Sequence, residues 1–399
     1  MKLNVYFGEK KCGELFTTEN RGIAFQYIEE YLSFPDSKAI SLSLPLKKEE
    51  FSQKECLPFF SGLLPEEFTR KRVADYLHIS ELSDIKLLAA LGQECAGIIT
   101  IADDDFNPKN LKTEYELNSS NYEKLSAEQL EDFILNIPQR PFLKADDKLR
   151  LSLAGAQEKL SLAFFENQWY LPLNGAPSTH ILKPTREGSL STLAQNEYDC
   201  MQLAKKCGLN VPESNLEKIA GKDVFIVQRY DRIIKNGKIT RLHQEDMCQA
   251  LGIMPENKYQ SDGGPGIKEI YDLLKFHSVM PIIDLRAFIT EILFNYLIGN
   301  CDAHAKNYSI LYDKKGNARL SPIYDVVSTK AFPSLTKKMS MKIGTHYDLE
   351  KINKDDFALM AQQLNINKKI IFETLESLNE KINSQPFFFT GFFPINSIK

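Results

Sequence analysis

The thirty residues 299–328 read GNCDAHAKNYSILYDKKGNARLSPIYDVVS and follow the most apolar helix that the sequence predicts. They hold Asp302, Asn307 and Asp325 in that order, and a predicted hairpin over 308–320 separates the last two. One common type of phosphoryl-transfer loop has an aspartate, an asparagine five positions later, and a further aspartate past a hairpin. Its first carboxylate orients the attacking hydroxyl and can accept the proton, while the other two side chains offer hard oxygen ligands to magnesium. The spacing therefore predicts a catalytic loop with its magnesium ligands.

The same loop departs from the usual protein-kinase pattern and has simpler interpretations. The last aspartate normally lies in Asp-Phe-Gly, whereas residues 324–326 here read Tyr-Asp-Val. His304 and Lys306 belong to the loop and could reach phosphate oxygens. By itself an Asp-x-His tripeptide is usually a turn, and the Asn-Tyr-Ser of 307–309 matches a glycosylation acceptor. The complete triple, between a helix and a hairpin, favours the catalytic interpretation.

A second motif, SLAGAQEK at 152–159, leads into a predicted strand. Small residues let the backbone approach a polyphosphate, and consecutive amides can cradle its oxygens. The motif is neither a Walker A sequence nor G-x-G-x-x-G, so taken alone it also fits a small-residue turn between strands. In a chain that carries the catalytic loop, it predicts a phosphate-binding loop.

Two further motifs occupy the β-rich half. Lys183 ends the strand HILKP, 180–184, before a helix predicted over 193–207, where kinases place the lysine that holds the α- and β-phosphates. Glu197 on that helix could pair with Lys183, although a lone lysine at a strand end is mostly just solvated. The string VQRYDR, 227–232, lies at the β-to-α transition, where kinases pair backbone groups with adenine. Its simpler interpretation is a charged strand edge.

The composition is that of an ordinary soluble globular chain. Of the 399 residues, 43% are hydrophobic and 26% charged, and the formal net charge of −4 gives no basic field for direct binding to DNA. The seven cysteines are scattered and lack a C-x-x-C pair, which argues against disulfides and a zinc site. The amino terminus has no apolar leader, and the apolar stretch 288–298 is too short to cross a membrane. We therefore expect a cytoplasmic protein with no membrane contact.

The order of predicted elements favours an α+β fold of two lobes with a cleft between them. Strands dominate the first half, together with a helix over 127–136, and strands become scarce after about residue 244. Helices are then predicted at 244–251, 268–277, 284–298, 354–363 and 367–382. We divide the chain into four parts. An amino-terminal module covers 1–105, and a connecting helical segment covers 106–149. A β-rich lobe with the phosphate loop and hinge covers 150–235, and a helical lobe with the catalytic loop covers 236–399.

Taken together and in this order, the motifs resemble the HipA family of toxin kinases. The strings that carry the resemblance cover most of the chain: SLAGAQEKLSL at 152–162, HILKP at 180–184, NEYDCMQLAKKCGL at 196–209, VQRYDR at 227–232, LHQEDMCQALG at 242–252, GNCDAHAKNYSIL at 299–311 and SPIYDVVS at 321–328. Near the amino terminus, FSGLLPE at 60–66 is similar to the family's amino-terminal module. Each string is short, but the combination is specific.

The resemblance implies a two-lobed protein-kinase-like fold and a serine/threonine kinase that acts as the toxin of a toxin–antitoxin system, causing growth arrest and persistence. The implied cofactors are ATP and Mg²⁺. The implied partners are a HipB-like helix-turn-helix antitoxin and, through that antitoxin, DNA. The implied substrate is a protein, for example a tRNA synthetase such as glutamyl-tRNA synthetase. The family's inactivating autophosphorylation site maps to Ser152.

Mapped onto this sequence, the resemblance makes Asp302 the catalytic base and Asn307 and Asp325 the magnesium ligands. The motifs and the resemblance together give the residues expected to contact ATP: Ala154, Gly155, Ala156, Gln157, Glu158, Lys159, Lys183, Val227, Gln228, Arg229, Tyr230, Gln244, His304, Lys306, Asn307, Tyr324 and Asp325.

Two other functions stay open from the residues alone. A small-molecule or lipid kinase has the same core, although the long module 1–105 is more typical of a docking surface. An inactive pseudokinase that serves as a co-repressor is the second alternative. The presence of the base and of both magnesium ligands argues against it.

Overall fold

The structure is a computed structural model, and it describes residues 1–20, 22–137, 157–185 and 188–385. Its amino-terminal module consists of β1 (Lys2–Phe7), β2 (Lys10–Thr17), β3 (Ile23–Tyr27), α1 (Glu29–Ser33), α2 (Gln53–Gly62), α3 (Glu67–Tyr76), α4 (Asp84–Leu91) and β4 (Ile99–Ala102). The four strands form an antiparallel sheet in the order β3-β2-β1-β4. Buried side chains of this sheet, such as Val5 and Ile101, share one apolar core with Phe59 and Phe60 of α2.

A six-stranded antiparallel sheet follows the module. The elements of this region are β5 (Glu114–Glu116), β6 (Tyr122–Lys124), α5 (Ala127–Asn136), β7 (Leu160–Phe165), β8 (Gln168–Pro172), β9 (His180–Pro184), α6 (Leu193–Cys207), β10 (Ser214–Ile219), β11 (Lys222–Gln228), β12 (Arg232–Lys235) and β13 (Lys238–Arg241). The strand order is β10-β11-β9-β7-β8-β6, while β5 pairs with the hairpin β12-β13. Strand β9, which carries Lys183, is therefore an inner strand between β11 and β7.

Helices dominate the rest of the described chain. The elements are β14 (Gln244–Asp246), α7 (Met247–Leu251), α8 (Ile267–His277), α9 (Pro281–Ile298), β15 (Ser309–Tyr312), β16 (Ala318–Leu320), β17 (Lys338–Ile343), β18 (His346–Asp348), α10 (Lys354–Gln363) and α11 (Lys368–Asn383). Helix α9 is apolar on nearly every face from Phe288 to Ile298, so it lies inside the largest core, between α8 and α11. Across the described ranges, no helix combines the length and apolar character that crossing a bilayer requires.

The structure confirms the α+β content and the order of a β-rich part before a helical part. Three helices, α5, α6 and α10, have the predicted bounds, 127–136, 193–207 and 354–363. Residues next to the helices cap two of these ends. Ser126 accepts a hydrogen bond from the third amide of α5, and α6 ends at Gly208, whose φ is +89°.

Several short strands were missed. Strands β5 and β6 lie in the segment predicted as helical, β14 replaces the start of the helix predicted at 244, and β17–β18 form a second hairpin in the helical lobe. Each has three to six residues, and β5 and β6 pair with strands far along the chain. Periodicity cannot reveal such strands because their hydrogen-bond partners are not neighbours in sequence.

Candidate active site

The loop that follows α9 is held by a chain of side-chain amides. Asn300 Oδ1 accepts the backbone amide of Asp302 at 3.1 Å, and Asn300 Nδ2 donates to Asn295 Oδ1 at 2.9 Å. Asn295 Nδ2 in turn donates to the hydroxyl of Tyr308 at 3.1 Å. All three of Asn295, Asn300 and Tyr308 are buried. The loop that carries Asp302 is therefore anchored on the rigid interior of the helical lobe.

Asp302 itself opens to solvent at the centre of this loop. The hydroxyl of Tyr259 donates to its Oδ1 at 2.7 Å. Asn307 Nδ2 donates to the backbone carbonyl of Asp302 at 3.1 Å, which turns the amide nitrogen toward the loop and the opposite oxygen away from it. Partial desolvation by the neighbouring protein raises the pKa of the Asp302 carboxyl, while the hydrogen bond from Tyr259 opposes that shift.

Across from the loop, three charged side chains from separate elements meet. Lys183 Nζ on β9 lies 2.6 Å from Glu197 Oε1 on α6, so the predicted pair forms, and both side chains are buried. The same ammonium contacts Asp325 Oδ1. Asp325 has a φ of +55°, a left-handed conformation that is rare outside glycine and is concentrated at functional sites.

A second ammonium group, that of Lys159 at the end of the phosphate-loop motif, acts on this cluster. Burial alone would raise the pKa of the Asp325 carboxyl, but the Lys183 and Lys159 ammonium groups hold it well below the usual aspartate range. Burial lowers the pKa of Lys159 to about 8, although the Asp325 carboxylate opposes the shift. A polyanion placed here would stabilise the charged form of Lys159.

Ring contacts and hydrogen bonds between polar and aromatic side chains connect the predicted hinge to the catalytic loop. The ring of Tyr230 lies 5.6 Å from that of Tyr324, and the Tyr230 hydroxyl donates to Gln244 Oε1. The Tyr324 hydroxyl donates to the carbonyl of Lys306 at 2.6 Å and contacts Ser309 Oγ at 2.6 Å. The side chains of Tyr230, Gln244 and Tyr324, all predicted to contact the nucleotide, are thus in contact with one another.

Other predicted hinge residues are engaged within the protein. The amides of Gln228 and Arg229 donate to the carbonyls of Glu213 and Thr179, both at 2.8 Å. The side chain of Val227 is buried in the main core. An adenine base would therefore have to pair with other backbone groups of this crossing.

Arg229 belongs to a buried ion cluster that joins the hinge to the amino-terminal module. Its guanidinium lies 2.9 Å from Glu94 Oε1 and 2.9 Å from Asp231 Oδ2, and Arg232 contacts the same two carboxylates at 3.1 and 2.8 Å. Asp231 also accepts the amide of Gly97 at 2.8 Å. Buried charges are tolerated when each is paired in this way, so the Arg229 guanidinium is occupied in holding the hinge to the amino-terminal module.

His304 and Lys306 lie in the catalytic loop but face other protein groups. Lys306 Nζ lies 2.6 Å from Asp246 Oδ2, and its ammonium is buried. The ring of His304 meets that of Tyr259 edge-on at 5.2 Å. Burial, reinforced by the Lys258 ammonium, lowers the pKa of His304 to about 3, so the ring is neutral at physiological pH. Its buried Nδ1 lacks a hydrogen-bond partner in the part of the chain that the structure describes.

The phosphate-loop motif is described only at its end. Gln157 is half-buried, and the Glu158 carboxylate pairs with Arg72 of α3. Ser152, Ala154, Gly155 and Ala156 lie outside the described residues, so their predicted roles stay predictions.

The donor set fits a magnesium-bound nucleotide. Magnesium takes one or two protein oxygens and completes its shell with phosphate and water, and Asp325 and Asn307 offer a carboxylate and an amide oxygen. Within the described ranges no group of three or more His, Cys, Asp or Glu side chains could form an all-protein metal cage. The buried ammonium of Lys183, held by Glu197, is the kind of group that could bind phosphate oxygens.

Sequence reasoning missed three residues of this site: Tyr259, Asn300 and Glu66. Tyr259 and Glu66 reach the catalytic loop from positions far away in sequence, so no local spacing could have indicated them. Asn300 directly follows Gly299, which ends α9. An asparagine at such a position often accepts a hydrogen bond from a backbone amide two residues later, so the sequence did contain a signal for this residue.

Two lobes, a lysine–glutamate pair and an aspartate-bearing loop define the class: a protein-kinase-like fold. A family model described as the HipA-like C-terminal domain matches residues 151–385, and one described as the HipA N-terminal domain matches residues 3–102. The first covers more than half of the chain, and the chain therefore belongs to the HipA family.

Similar proteins span nearly the whole chain. "Putative kinase Y4mE" of Sinorhizobium fredii is 37% identical over 378 residues, which are 94% of this chain and 89% of that protein. "Serine/threonine-protein kinase toxin HipA" of Shewanella oneidensis is 28% identical over 397 residues, 96% of this chain and 88% of that one. Among solved structures, HipA from the Shewanella oneidensis HipA, HipB and operator DNA complex has a TM-score of 0.78 at 24% identity and covers 99% of this chain and 92% of that chain. This likeness confirms the predicted fold.

Proposed function

We propose that this chain is an ATP-dependent serine/threonine protein kinase and the toxin of a toxin–antitoxin system. One observation carries the proposal: Lys183, paired with Glu197, meets Asp325 across from a loop that presents Asp302 and Asn307. This is the set of groups that phosphoryl transfer from a magnesium nucleotide requires. Membership of the HipA family, whose relatives here are named as kinases, supports the same reaction.

Each side chain has a task that follows from its position. Lys183 binds and orients the α- and β-phosphates, and Glu197 holds the Lys183 ammonium in place. Asn307 and Asp325 would hold Mg²⁺, which neutralises charge on the transferring phosphoryl group when bound. Asp302 accepts the proton of the substrate serine or threonine hydroxyl through its carboxylate. Tyr230, Gln244 and Tyr324 line the side of the cleft where the nucleoside would bind.

The partners of the proposal come from its relatives. The Shewanella oneidensis structure contains HipA together with HipB and operator DNA, so we propose a HipB-like antitoxin for this chain and DNA contact through that antitoxin. The substrate is proposed to be a protein, with a tRNA synthetase as the family example. Growth arrest, persistence and a cytoplasmic location belong to the same proposal.

Ser152 is proposed as an autophosphorylation site that inhibits the kinase. Phosphorylation adds close to two negative charges. Ser152 and Lys159 belong to the same motif, 152–159, which is proposed to hold the triphosphate, so that added charge would compete with the nucleotide. The phosphoprotein form should therefore bind ATP less tightly.

The test uses γ-labelled ATP, Mg²⁺ and lysate, with the full chain as wild type and as Asp302→Asn. The variant should bind ATP normally and lose about 10²- to 10⁴-fold in phosphotransfer, because it lacks only the base. Asp272→Asn, on the exposed face of α8, is the matched control and should retain full activity. Labelled protein bands that carry phosphoserine or phosphothreonine would support the proposal. Label only in small molecules, or equal transfer by Asp302→Asn, would reject it.

A further inference from the structure

A segment of the amino-terminal module reaches into the cleft between the lobes. Glu66 is the residue before α3, and its Oε2 lies 2.8 Å from Lys258 Nζ while its Oε1 lies 3.6 Å from Lys306 Nζ. Glu66, Lys258 and Lys306 are all buried, with at most 9% of each residue exposed. One carboxylate from the module thus bridges two ammonium groups of the helical lobe.

Both lysines are linked to the segment that carries Asp302. Lys306 is part of the catalytic loop itself, four residues past Asp302. The carbonyl of Lys258 accepts the amide of Ala305 at 3.3 Å, and the next residue, Tyr259, donates its hydroxyl to Asp302. The Glu66 carboxylate is therefore connected to the loop by two independent routes, one through Lys306 and one through Lys258.

The backbone next to Glu66 carries the strain expected of a functional element. Glu67 has a φ of +48°, a left-handed conformation that non-glycine residues adopt only when their surroundings impose it. Its carboxylate lies 3.3 Å from Lys258 Nζ. One turn further along α3, Arg72 pairs with Glu158 at the end of the phosphate-loop motif. Residues 66–72 thus touch the catalytic loop at one end and the phosphate loop at the other.

We propose that Glu66 is a positioning residue for phosphotransfer, through which the amino-terminal module sets the geometry of the catalytic loop. The expected effect of Glu66 on the rate rests on the proposed kinase function. The expected effect of Glu66 on the order of the catalytic loop does not depend on that function. The Glu66 carboxylate lies between two buried ammonium groups and reduces their mutual repulsion. Without its charge, Lys258 keeps the 3.3 Å contact with the more exposed Glu67, and Lys306 keeps Asp246 at 2.6 Å. Asp302 would then lose the support of Lys306 and Lys258 without losing any nucleotide contact.

The experiment compares full-length wild type, Glu66→Gln, Glu66→Asp and Asp284→Asn. Asp284 is a matched control because it is equally buried and pairs with Arg319 at 2.8 Å at the start of α9, outside the cleft. Amide hydrogen exchange is measured over 300–308 in each protein. ATP affinity and kcat are measured in parallel.

Glu66→Gln should speed exchange over 300–308 by about 10- to 100-fold and leave exchange in α11 unchanged. In the same protein kcat should fall by about 100-fold while ATP affinity stays at the wild-type value. Glu66→Asp, which keeps the charge, should recover part of both losses, and Asp284→Asn should not loosen 300–308.

Exchange over 300–308 that matches wild type in Glu66→Gln would overturn the inference, as would equal loosening in Asp284→Asn. A wild-type protein that transfers no phosphate would reject the proposed function instead. The exchange comparison would still decide the role of Glu66 in that case.

Discussion

At the scale of single residues, the proposed phosphotransfer depends on the protonation state of Asp302, the proposed base. The protein around it raises its pKa, and the hydroxyl of Tyr259, 2.7 Å from Oδ1, limits that rise. A general base works best when its pKa is closer to the working pH, provided that the carboxylate form still predominates. If Asp302 is the base, Tyr259 both sets its pKa and orients its carboxylate.

Tyr259→Phe should move the acid limb of the kcat–pH profile to higher pH. The base acts when deprotonated, so kcat rises as the pH passes through the pKa of Asp302. In the wild type this limb should lie above the ordinary aspartate value of 3.8. Removing the hydroxyl that stabilises the carboxylate raises the pKa further. Tyr347→Phe, on β18, is the control and should leave the limb in place. A limb that stays put or moves down in Tyr259→Phe would contradict this tuning.

At the scale of elements, the end of α9 decides where the catalytic loop begins. Gly299 has a φ of +69°, and a Cβ there would lie 2.7 Å from Lys330 Cβ. The amide of Lys330 also donates to the Gly299 carbonyl at 3.1 Å. Glycine is thus required both for the left-handed turn and for the close approach of the segment that follows Asp325.

Gly299→Ala should destabilise the protein more than Gly208→Ala does, and it alone should reduce kcat. Gly208 ends α6 with a φ of +89°, but its nearest atom is the flexible end of Lys381, at 3.7 Å. Gly208→Ala should therefore cost only the left-handed penalty of about 1–2 kcal/mol. Gly299→Ala adds a backbone-proximal clash and shifts the loop. Urea unfolding and kcat measurements check this, and equal losses in the two variants would speak against it.

Local features of the sequence predicted the long elements well. Helices α5 and α6 were predicted with the observed bounds because a serine cap and a terminal glycine mark their ends. The pair between Lys183 and Glu197 was predicted because both lie on neighbouring, well-marked elements. Short strands such as β5 were missed because a partner more than a hundred residues away, β13, makes them strands. Tyr259 and Glu66 were missed because only the tertiary fold brings them to Asp302.

At the scale of the whole molecule, the amino-terminal module and the two lobes form one interconnected unit. The module meets the hinge through the buried pairs of Glu94 with Arg229 and Arg232, and it meets the catalytic loop through Glu66. Such buried pairs are costly to break because each partner would be left charged and unpaired. The cleft is therefore framed by all three parts of the chain, with Asp302 and Asn307 on the catalytic loop and Asp325 beside Lys183 across from it.

The central claim is that these three side chains serve one magnesium-bound nucleotide. A crystal structure of the full chain with Mg²⁺ and a non-hydrolysable ATP analogue tests it most directly. We expect one Mg²⁺ held by Asn307 and Asp325, phosphate oxygens on the ammonium of Lys183, and the Asp302 carboxylate facing the terminal phosphate. A nucleotide bound elsewhere, or one bound here with Asp302 and Asn307 directed away from its phosphates, would contradict the account.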